Sequence, residues 1–164
     1  FNFPHLVDAG VNITYHEERI LKPDWNKPMA PHFRLDNNVI IFSLFPGIRE
    51  DLIRHIIHTP NLKAIVMRTF GSGNAPQRPW LLNALKEGTK NGKVIVNISQ
   101  CMQGCVEMGR YDTGFHLKEA GVVSGYDSTV ESAVTKLMFL QSHYNDPEKV
   151  RDMMNRSIRG EITV

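Results

Sequence analysis

The sequence predicts an α/β protein: a three-layer αβα domain of the flavodoxin or Rossmann-like kind, with a small, mainly parallel sheet of about four strands. One observation is that short apolar, mostly β-branched runs alternate with segments of helical periodicity. Such βαβ units give a parallel sheet with helices on both faces. The other is size, because 164 residues with 41% apolar content suffice for one core. The clearest runs are Val39–Phe42, Ala64–Met67 and Val94–Ile98.

A helix is predicted after each of the first two strands. The first spans Ile48–Ile57, behind a turn at Pro46-Gly47. The second spans Gln77–Lys90, has Pro79 in its first turn and ends at Asn91-Gly92, as helices favour. Both helices have apolar residues at a spacing that would face the sheet. In the first helix these residues are Leu52, Ile53, Ile56 and Ile57.

The remaining elements complete the α/β pattern. Gly121–Val123 is predicted to be a short fourth strand. Ser128 to Glu131 has the sequence of a capping box, in which Ser128 would cap a helix. Asp146-Pro147 has the sequence of an N-cap followed by proline at the first helical position. The residues expected to face inward from these two helices are Val130, Ala133, Val134, Leu137, Val150 and Met153.

Residues 1–36 differ in composition from the rest of the chain. Val11–Tyr15 alternates apolar and polar residues, which indicates a short strand. Leu21–Arg34 is typical of an irregular connector stiffened by proline. We therefore place the α/β domain at residues 37–164 and expect no separate core before it.

Charge and cysteine content narrow the possible functions. A net charge of +2, spread along the chain, indicates neither a nucleic-acid-binding protein nor a trap for acidic substrates. No stretch approaches the ~18 apolar residues of a membrane span. Cys101 and Cys105 lack the further ligands that a zinc site needs. We therefore expect free thiols, no metal or other cofactor, and a reducing, cytoplasmic location.

The residues after the second strand have the chemistry of a ligand site. Arg68–Pro76 reads Arg-Thr-Phe-Gly-Ser-Gly-Asn-Ala-Pro, and ligands of open α/β sheets bind at the carboxyl ends of strands. The two glycines permit a sharp turn. Asn74 offers an amide donor and acceptor, and the guanidinium of Arg68 matches a carboxylate. The glycine spacing fits neither a dinucleotide fingerprint nor a P-loop, so NAD and nucleotide phosphates are not indicated.

Both polar residues also have a simpler interpretation. Arg68 could form a structural ion pair at the sheet edge, and Asn74 could be only a turn former. The residues by themselves leave these alternatives open. The acidic partners available to Arg68 would be Asp51, Glu87 and Glu107.

Ser99 and Cys101 follow the third strand. They should lie close to the loop after the second strand, because neighbouring parallel strands end at the same edge of a sheet. A nucleophilic Cys101 would need a base, for which His116 is the nearest candidate in sequence. The context of His116 favours a helix start instead, so cysteine catalysis is the minor interpretation. Three further histidines are expected at the surface: His55, His58 and His143.

Several motifs, in order, resemble the C-terminal domain of bacterial type I (cytoplasmic) L-asparaginases. The resemblance extends over nearly the whole chain from about Asn38. It rests on Arg68–Pro76, Val96–Gly104, Gly109–Gly114, Ala120–Val123 with Thr129–Glu131, and Arg159–Thr163.

The resemblance implies an amidohydrolase that converts L-asparagine to L-aspartate and ammonia. It places the catalytic Thr, Thr, Asp and Lys in an N-terminal domain whose motifs this sequence lacks, so we expect the chain alone to be inactive. Residues 1–36 would be the tail of that domain and the interdomain linker. The family resemblance further implies a homo-oligomer, a dimer or tetramer, and no nucleic-acid or membrane partner.

The resemblance also implies two roles for the predicted site. Asn74 would approach the active site of a neighbouring subunit. Arg68, Asn74, Ser99 and Cys101 would form an allosteric site for L-asparagine, with Ser99 where the family often has threonine. Two alternatives remain: an asparaginase-like subunit of a tRNA-dependent amidotransferase, and a stand-alone module that binds a small ligand or dimerises.

Overall fold

The computed structural model describes residues 4–109 and 112–163. Arg110 and Tyr111 of the Gly109–Gly114 motif therefore lie outside the described residues, as do the side chains of Asp112 and Thr113. Within the described part, a small antiparallel hairpin precedes the α/β domain.

The hairpin consists of β1 (Val7–Ala9) and β2 (Ile13–Tyr15). Asp8 pairs with Thr14, and every residue of both strands is exposed. The prediction of a short strand at Val11–Tyr15 is confirmed for its last three residues. Its partner β1 was not predicted. A short 3-10 helix, Glu17–Arg19, follows the hairpin.

A parallel four-stranded sheet forms the centre of the domain. Its strands are β3 (Val39–Ser43), β4 (Ala64–Thr69), β5 (Val94–Ser99) and β6 (Val123–Ser124). They lie in sequential order, and Thr69 of β4 is in register with Ser99 of β5. The predicted parallel sheet is confirmed. The carboxyl ends of β4 and β5 therefore meet at one edge, as expected for Arg68 and Ser99.

Five α-helices cover both faces of the sheet among the described residues. They are α1 (Glu50–Ile57), α2 (Pro79–Lys90), α3 (Asp112–Glu119), α4 (Val130–His143) and α5 (Pro147–Met154). The first three pack on one face, and α4 and α5 on the other. This is the predicted three-layer αβα arrangement.

Two apolar clusters, one on each face, form the core. On the first face, Ile53, Leu81 and Leu117 from the three helices pack with alternate residues of the sheet such as Ile65 and Met67. On the second, Ala133, Leu137 and Val150 pack with Ala64, Val66 and Val96. The central strands β4 and β5 are buried on both sides, because each faces helices above and below.

Leu52 and the predicted helix starts need correction. Leu52 is 46% exposed, because α1 begins at Glu50 and centres its buried stripe on Ile53, Ile56 and Ile57. The helix predicted from Gln77 begins at Pro79, which confirms proline in the first turn. The fourth strand is Val123–Ser124 rather than Gly121–Val123.

The cap of α4 also differs from the prediction. Thr129, not Ser128, is the N-cap, and its side chain accepts a hydrogen bond from the Ser132 backbone N–H at 3.1 Å. Asp146 caps α5 as predicted, with its Oδ1 atom 3.0 Å from the Glu148 backbone N–H. The one-residue shift at α4 leaves Ser128 just outside the helix and buried.

The connector between the hairpin and the sheet runs along α4. The backbone N–H of Asp36 donates to Met138 O at 3.0 Å, and Ser142 Oγ donates to Arg34 O at 2.7 Å. Nδ1 of His32 lies 2.8 Å from Nε2 of His143. In the described part of the chain, no helix is both long and apolar enough to cross a membrane.

Candidate ligand site at the carboxyl edge of the sheet

The loop after β4 is a closed turn that holds Asn74. The backbone N–H of Asn74 donates to Phe70 O at 2.8 Å, and that of Phe70 donates to Asn74 O at 3.0 Å. Gly71 and Gly73 have φ values of +51° and +102°, a region that side chains disfavour. A Cβ atom on Gly73 would also lie 2.7 Å from Val106 Cγ1. The glycines of the motif are therefore required both by conformation and by the close approach of Val106.

Three successive carbonyls tie this turn to neighbouring segments. Gly71 O accepts a hydrogen bond from Ser99 Oγ at 2.6 Å, Ser72 O accepts from the Glu107 N–H at 3.1 Å, and Gly73 O accepts from Asn97 Nδ2 at 3.0 Å. Two of the three donors come from β5. The turn is thus positioned by the adjacent strand rather than by its own sequence.

Asn97 is a residue that the sequence analysis did not single out. It is fully buried, and its Oδ1 atom accepts a 2.6 Å hydrogen bond from the hydroxyl of Thr69, which is also fully buried. Its Nδ2 atom reaches Gly73 O. A buried asparagine in an otherwise apolar strand, next to a glycine-rich loop, was the signal available in the sequence.

Ser99 and Cys101 lie where the sequence analysis expected them. The hydroxyl of Ser99, besides donating to Gly71 O, accepts a 2.9 Å hydrogen bond from the backbone N–H of Cys101. Cys101 is exposed, and Gly104 N–H donates to its carbonyl at 3.0 Å to close a tight turn. Ser99 therefore joins the loop after β4 to the loop after β5.

Arg68 is half-buried in β4 and forms no ion pair with any described residue. Its Nε atom is buried and has no hydrogen-bond partner. Two of the proposed partners are engaged elsewhere: Asp51 pairs with Arg49, and Glu87 with Arg54 and His58. A guanidinium with a buried, unsatisfied N–H is costly without a partner, which favours the ligand interpretation.

Arg68, Ser99 and Cys101 line one cavity of about 270 Å³, which we call the carboxyl-edge cavity. Its wall also includes Gln100, Ser128 and the first residues of α4. Gln100 is held in place, because its Nε2 atom donates to Leu44 O at 2.7 Å and to Arg68 O at 3.0 Å. Asn74 is not among the lining residues, so the structure brings together three of the four predicted site residues.

Ser128 adds a polar group that the sequence analysis had assigned to capping. It is 4% exposed, and its Oγ atom has no hydrogen-bond partner. The amino terminus of α4, which begins two residues later, carries partial positive charge from its free N–H groups. The carboxyl-edge cavity thus combines a guanidinium, a buried hydroxyl and a helix amino terminus, a set suited to a carboxylate.

The residues proposed for cysteine catalysis are not brought together. His116 lies in the second turn of α3, not at its start, and its Nδ1 atom is 3.3 Å from Glu119 Oε2. It does not line the carboxyl-edge cavity with Cys101. Burial and the negative charges of Asp127 and Glu107 raise the pKa of the Cys105 thiol, which disfavours its reactive thiolate form. Both cysteines are free, as expected.

A larger cavity of about 720 Å³ lies beside β6, away from the predicted site residues. Its wall includes Arg151, whose Nη2 atom donates to Thr89 O at 2.8 Å and Lys93 O at 2.9 Å. These bonds tie α5 to the end of α2, so Arg151 has a structural role. Size alone therefore does not identify the ligand site of this domain.

The fold and the carboxyl-edge cavity define an α/β domain that holds a small ligand at the ends of parallel strands. The family model for the glutaminase/asparaginase C-terminal domain matches residues 38–154. The chain therefore belongs to this family of C-terminal domains.

Individual relatives agree with this family. The chain is 39% identical over 170 residues to L-asparaginase 1 of Escherichia coli (strain K12), which covers 99% of this chain and 47% of that protein. It is 37% identical over 163 residues to the 60 kDa lysophospholipase of Homo sapiens, covering 99% of this chain and 28% of that protein. The chain thus spans about half the length of its L-asparaginase relative, and less of the lysophospholipase.

A solved structure shows the same fold. The crystal structure of L-asparaginase I from Vibrio cholerae superposes with a TM-score of 0.87 at 38% identity, over 99% of this chain and 48% of that one. The described chain therefore corresponds to the C-terminal half of that type of protein.

Proposed function

We propose that this chain is the C-terminal part of an L-asparaginase that hydrolyses L-asparagine to L-aspartate and ammonia. The observation that carries the proposal is the alignment with L-asparaginase 1 over 99% of the chain, through the hairpin and connector as well as the domain. Because the match includes residues before 37, it supports assigning them to the tail of an N-terminal domain and a linker. The catalytic threonines, aspartate and lysine belong to that N-terminal domain.

The carboxyl-edge cavity is the proposed allosteric site for L-asparagine. Arg68 would bind the α-carboxylate, since its Nε–H is buried without a partner. The hydroxyl of Ser128, also without a partner, would assist it. Ser99 and Cys101 would line the remainder of the ligand. Residues of the N-terminal domain would close the site, which is open in the C-terminal half.

Asn74 is proposed to act outside the cavity, at the active site of a neighbouring subunit in a dimer or tetramer. This role is supported by its place in a turn that three hydrogen bonds from neighbouring segments fix in position. A residue that reaches across a subunit interface needs such support, because small displacements at an active site are costly. Its contribution to the allosteric site remains a prediction. A cytoplasmic location is supported by the two free thiols.

The test is ammonia release by the full-length protein over a wide range of L-asparagine concentrations. A sigmoidal curve would support both the activity and activation through the carboxyl-edge cavity. A hyperbolic curve would keep the activity and contradict the allosteric assignment. No ammonia at any concentration would contradict the asparaginase assignment.

Cys101→Ala in the same protein tests the site itself. We expect weaker activation by L-asparagine with the maximal rate retained, because Cys101 lines the ligand and takes no part in the chemistry. Loss of all activity in a folded variant would show that Cys101 is catalytic. The amidotransferase-subunit and stand-alone interpretations are not favoured, because the L-asparaginase alignment extends beyond the domain into the hairpin.

A further inference from the structure

Three side chains with metal-ligand chemistry meet on the β1–β2 hairpin, far from the carboxyl-edge cavity. Asp8 lies in β1, His16 follows β2 directly, and His5 precedes β1. One ligand atom from each can be chosen so that all three lie within 4.8 Å of one another. These residues are separated by three and eight positions, so no sequence motif indicates the cluster.

The hairpin itself creates this arrangement. Val7 pairs with Tyr15 in the ladder, and the His16 backbone N–H donates to Leu6 O at 2.9 Å, which extends the pairing by one residue. Asp8 and His16 then lie on the same face, because side chains alternate along a strand. A bend at Leu6 brings His5 to that face as well.

Asp8 contacts both imidazoles, one with each oxygen. His5 Nε2 lies 2.9 Å from Oδ1, and His16 Nε2 lies 2.8 Å from Oδ2. The His16 hydrogen bond lowers the pKa of Asp8, so its carboxylate is ionised at neutral pH. The two Nε2 atoms and a carboxylate oxygen therefore converge on one small volume.

We propose that His5, Asp8 and His16 form a binding site for a divalent transition-metal ion of the Zn²⁺ type. Two imidazoles and one carboxylate are a ligand set found at zinc sites that keep a fourth position for water. Ligand atoms of a tetrahedral zinc site are about 3.3 Å apart, so the present contacts of the two histidines with Asp8 would lengthen slightly on binding. The nitrogen ligands disfavour Mg²⁺ and Ca²⁺, which prefer oxygen.

A second carboxylate supports the required tautomer of His16. If Nε2 binds the metal, the proton must reside on Nδ1, and Glu18 Oε1 lies 3.6 Å from that atom. Metal-binding histidines commonly direct the other ring N–H to a carboxylate. The charge of Arg19, whose Nε lies 3.4 Å from Glu18 Oε1 and whose Nη1 donates to His5 O at 3.1 Å, opposes binding and limits the affinity to the micromolar range.

The site would stabilise a segment that otherwise has little support. A two-stranded hairpin is marginally stable by itself, and every residue of β1 and β2 is exposed. A metal held by Asp8 on one strand and His16 at the end of the other would join the two strands directly.

The test is calorimetric titration of the chain, after chelator treatment, with Zn²⁺. We expect one ion per chain, little competition from excess Mg²⁺, and at least tenfold weaker binding for His16→Ala and for Asp8→Asn. His55→Ala is the matched control, because His55 is an exposed histidine on α1, and it should bind as the wild type does. Amide exchange in Val7–Tyr15 should slow with Zn²⁺ in the wild type alone.

Two results would overturn the proposal. One is the absence of saturable binding at millimolar Zn²⁺. The other is binding that survives His16→Ala and is lost in His143→Ala, which would place the ion at the paired imidazoles of His32 and His143. All substituted residues of the cluster are surface residues, so circular dichroism should show each variant folded.

Discussion

The hydroxyl of Ser99, at the end of β5, donates a 2.6 Å hydrogen bond to the carbonyl of Gly71, in the loop after β4. The same hydroxyl accepts from the backbone N–H of Cys101 at 2.9 Å. One side chain thus joins the two loops that carry the predicted ligand residues, and the carboxyl edge of the sheet behaves as a unit.

Ser99→Ala should loosen this edge. It removes a donor to Gly71 O and an acceptor for Cys101 N–H, and we expect the free energy of unfolding to fall by about 1 kcal/mol. Ser99→Thr is the matched control, since it keeps the hydroxyl and should stay near the wild type. Urea unfolding measures both variants. Equal stability of Ser99→Ala and Ser99→Thr would show that the hydroxyl contributes nothing.

Gly104→Ala should displace Ser99 by steric overlap. A Cβ atom at position 104 would lie 2.2 Å from Ser99 Oγ and 3.1 Å from Cys101 Cβ, and we expect a cost of about 2 kcal/mol. Gly109→Ala is the control, because nothing lies within 4 Å of a Cβ there. Thermal unfolding should separate the two. A Gly104→Ala protein as stable as Gly109→Ala would contradict the close contact.

Asn97→Ala should destabilise the turn that holds Asn74. The substitution leaves Gly73 O without its donor and removes the acceptor of the buried Thr69 hydroxyl, so we expect a loss of about 3 kcal/mol. Asn145→Ala, at an exposed position, should change stability by less than about 0.5 kcal/mol. Hydrogen exchange would locate the effect: faster exchange at Gly73 and Asn74 is expected, and unchanged exchange there would contradict the role of Asn97.

Arg68→Ala should weaken ligand recognition more than stability. Arg68 forms no ion pair within residues 4–109 and 112–163, so its removal breaks no salt bridge. In the full-length protein we expect at least a tenfold rise in the L-asparagine concentration needed for activation. Arg49→Ala, at an exposed arginine, is the control. A large fall in melting temperature with an unchanged L-asparagine response would assign Arg68 a structural role.

Glu161→Gln should destabilise the C-terminal segment in a pH-dependent way. Lys136 Nζ is buried and lies 2.6 Å from Glu161 Oε1. Burial by itself would raise the pKa of Glu161, but Lys136 and the backbone N–H groups of Arg159 and Ile158 together lower it below its usual value. We expect a loss of about 3 kcal/mol at neutral pH, because the lysine would keep its charge without a partner.

The pH dependence has a definite sign. A carboxyl with a lowered pKa in the folded state stabilises the protein above its unfolded pKa, about 4.3 for glutamate, and this stabilisation is lost as pH falls through the folded pKa. The difference in unfolding free energy between wild type and Glu161→Gln should therefore shrink below about pH 4. Asp152→Asn, which affects only exposed pairs, should cost less than about 1 kcal/mol. A difference that stays constant with pH would contradict the assignment to this ion pair.

Periodicity and local motifs determined most of the secondary structure. The strands at Ala64 and Val94 and the Asp146-Pro147 cap were predicted within a residue or two, because apolar runs and N-caps depend on neighbours in the sequence. Leu52 was assigned to the core wrongly, since helical spacing gives a face but not its centre. Ser128 was taken for the cap of α4, although Thr129 one residue later has the same chemistry.

The site was predicted in part, for a related reason. The sequence alone placed Arg68, Ser99 and Cys101 at one sheet edge, because parallel strands that follow one another must end together. Only the tertiary structure decided that Asn74 lies outside the cavity, that Ser128 lies inside it and that Asn97 holds the loop. It likewise brought His5, Asp8 and His16 together. Such contacts join residues distant in sequence or of irregular spacing, and their geometry depends on how strands and helices pack, which no local pattern specifies.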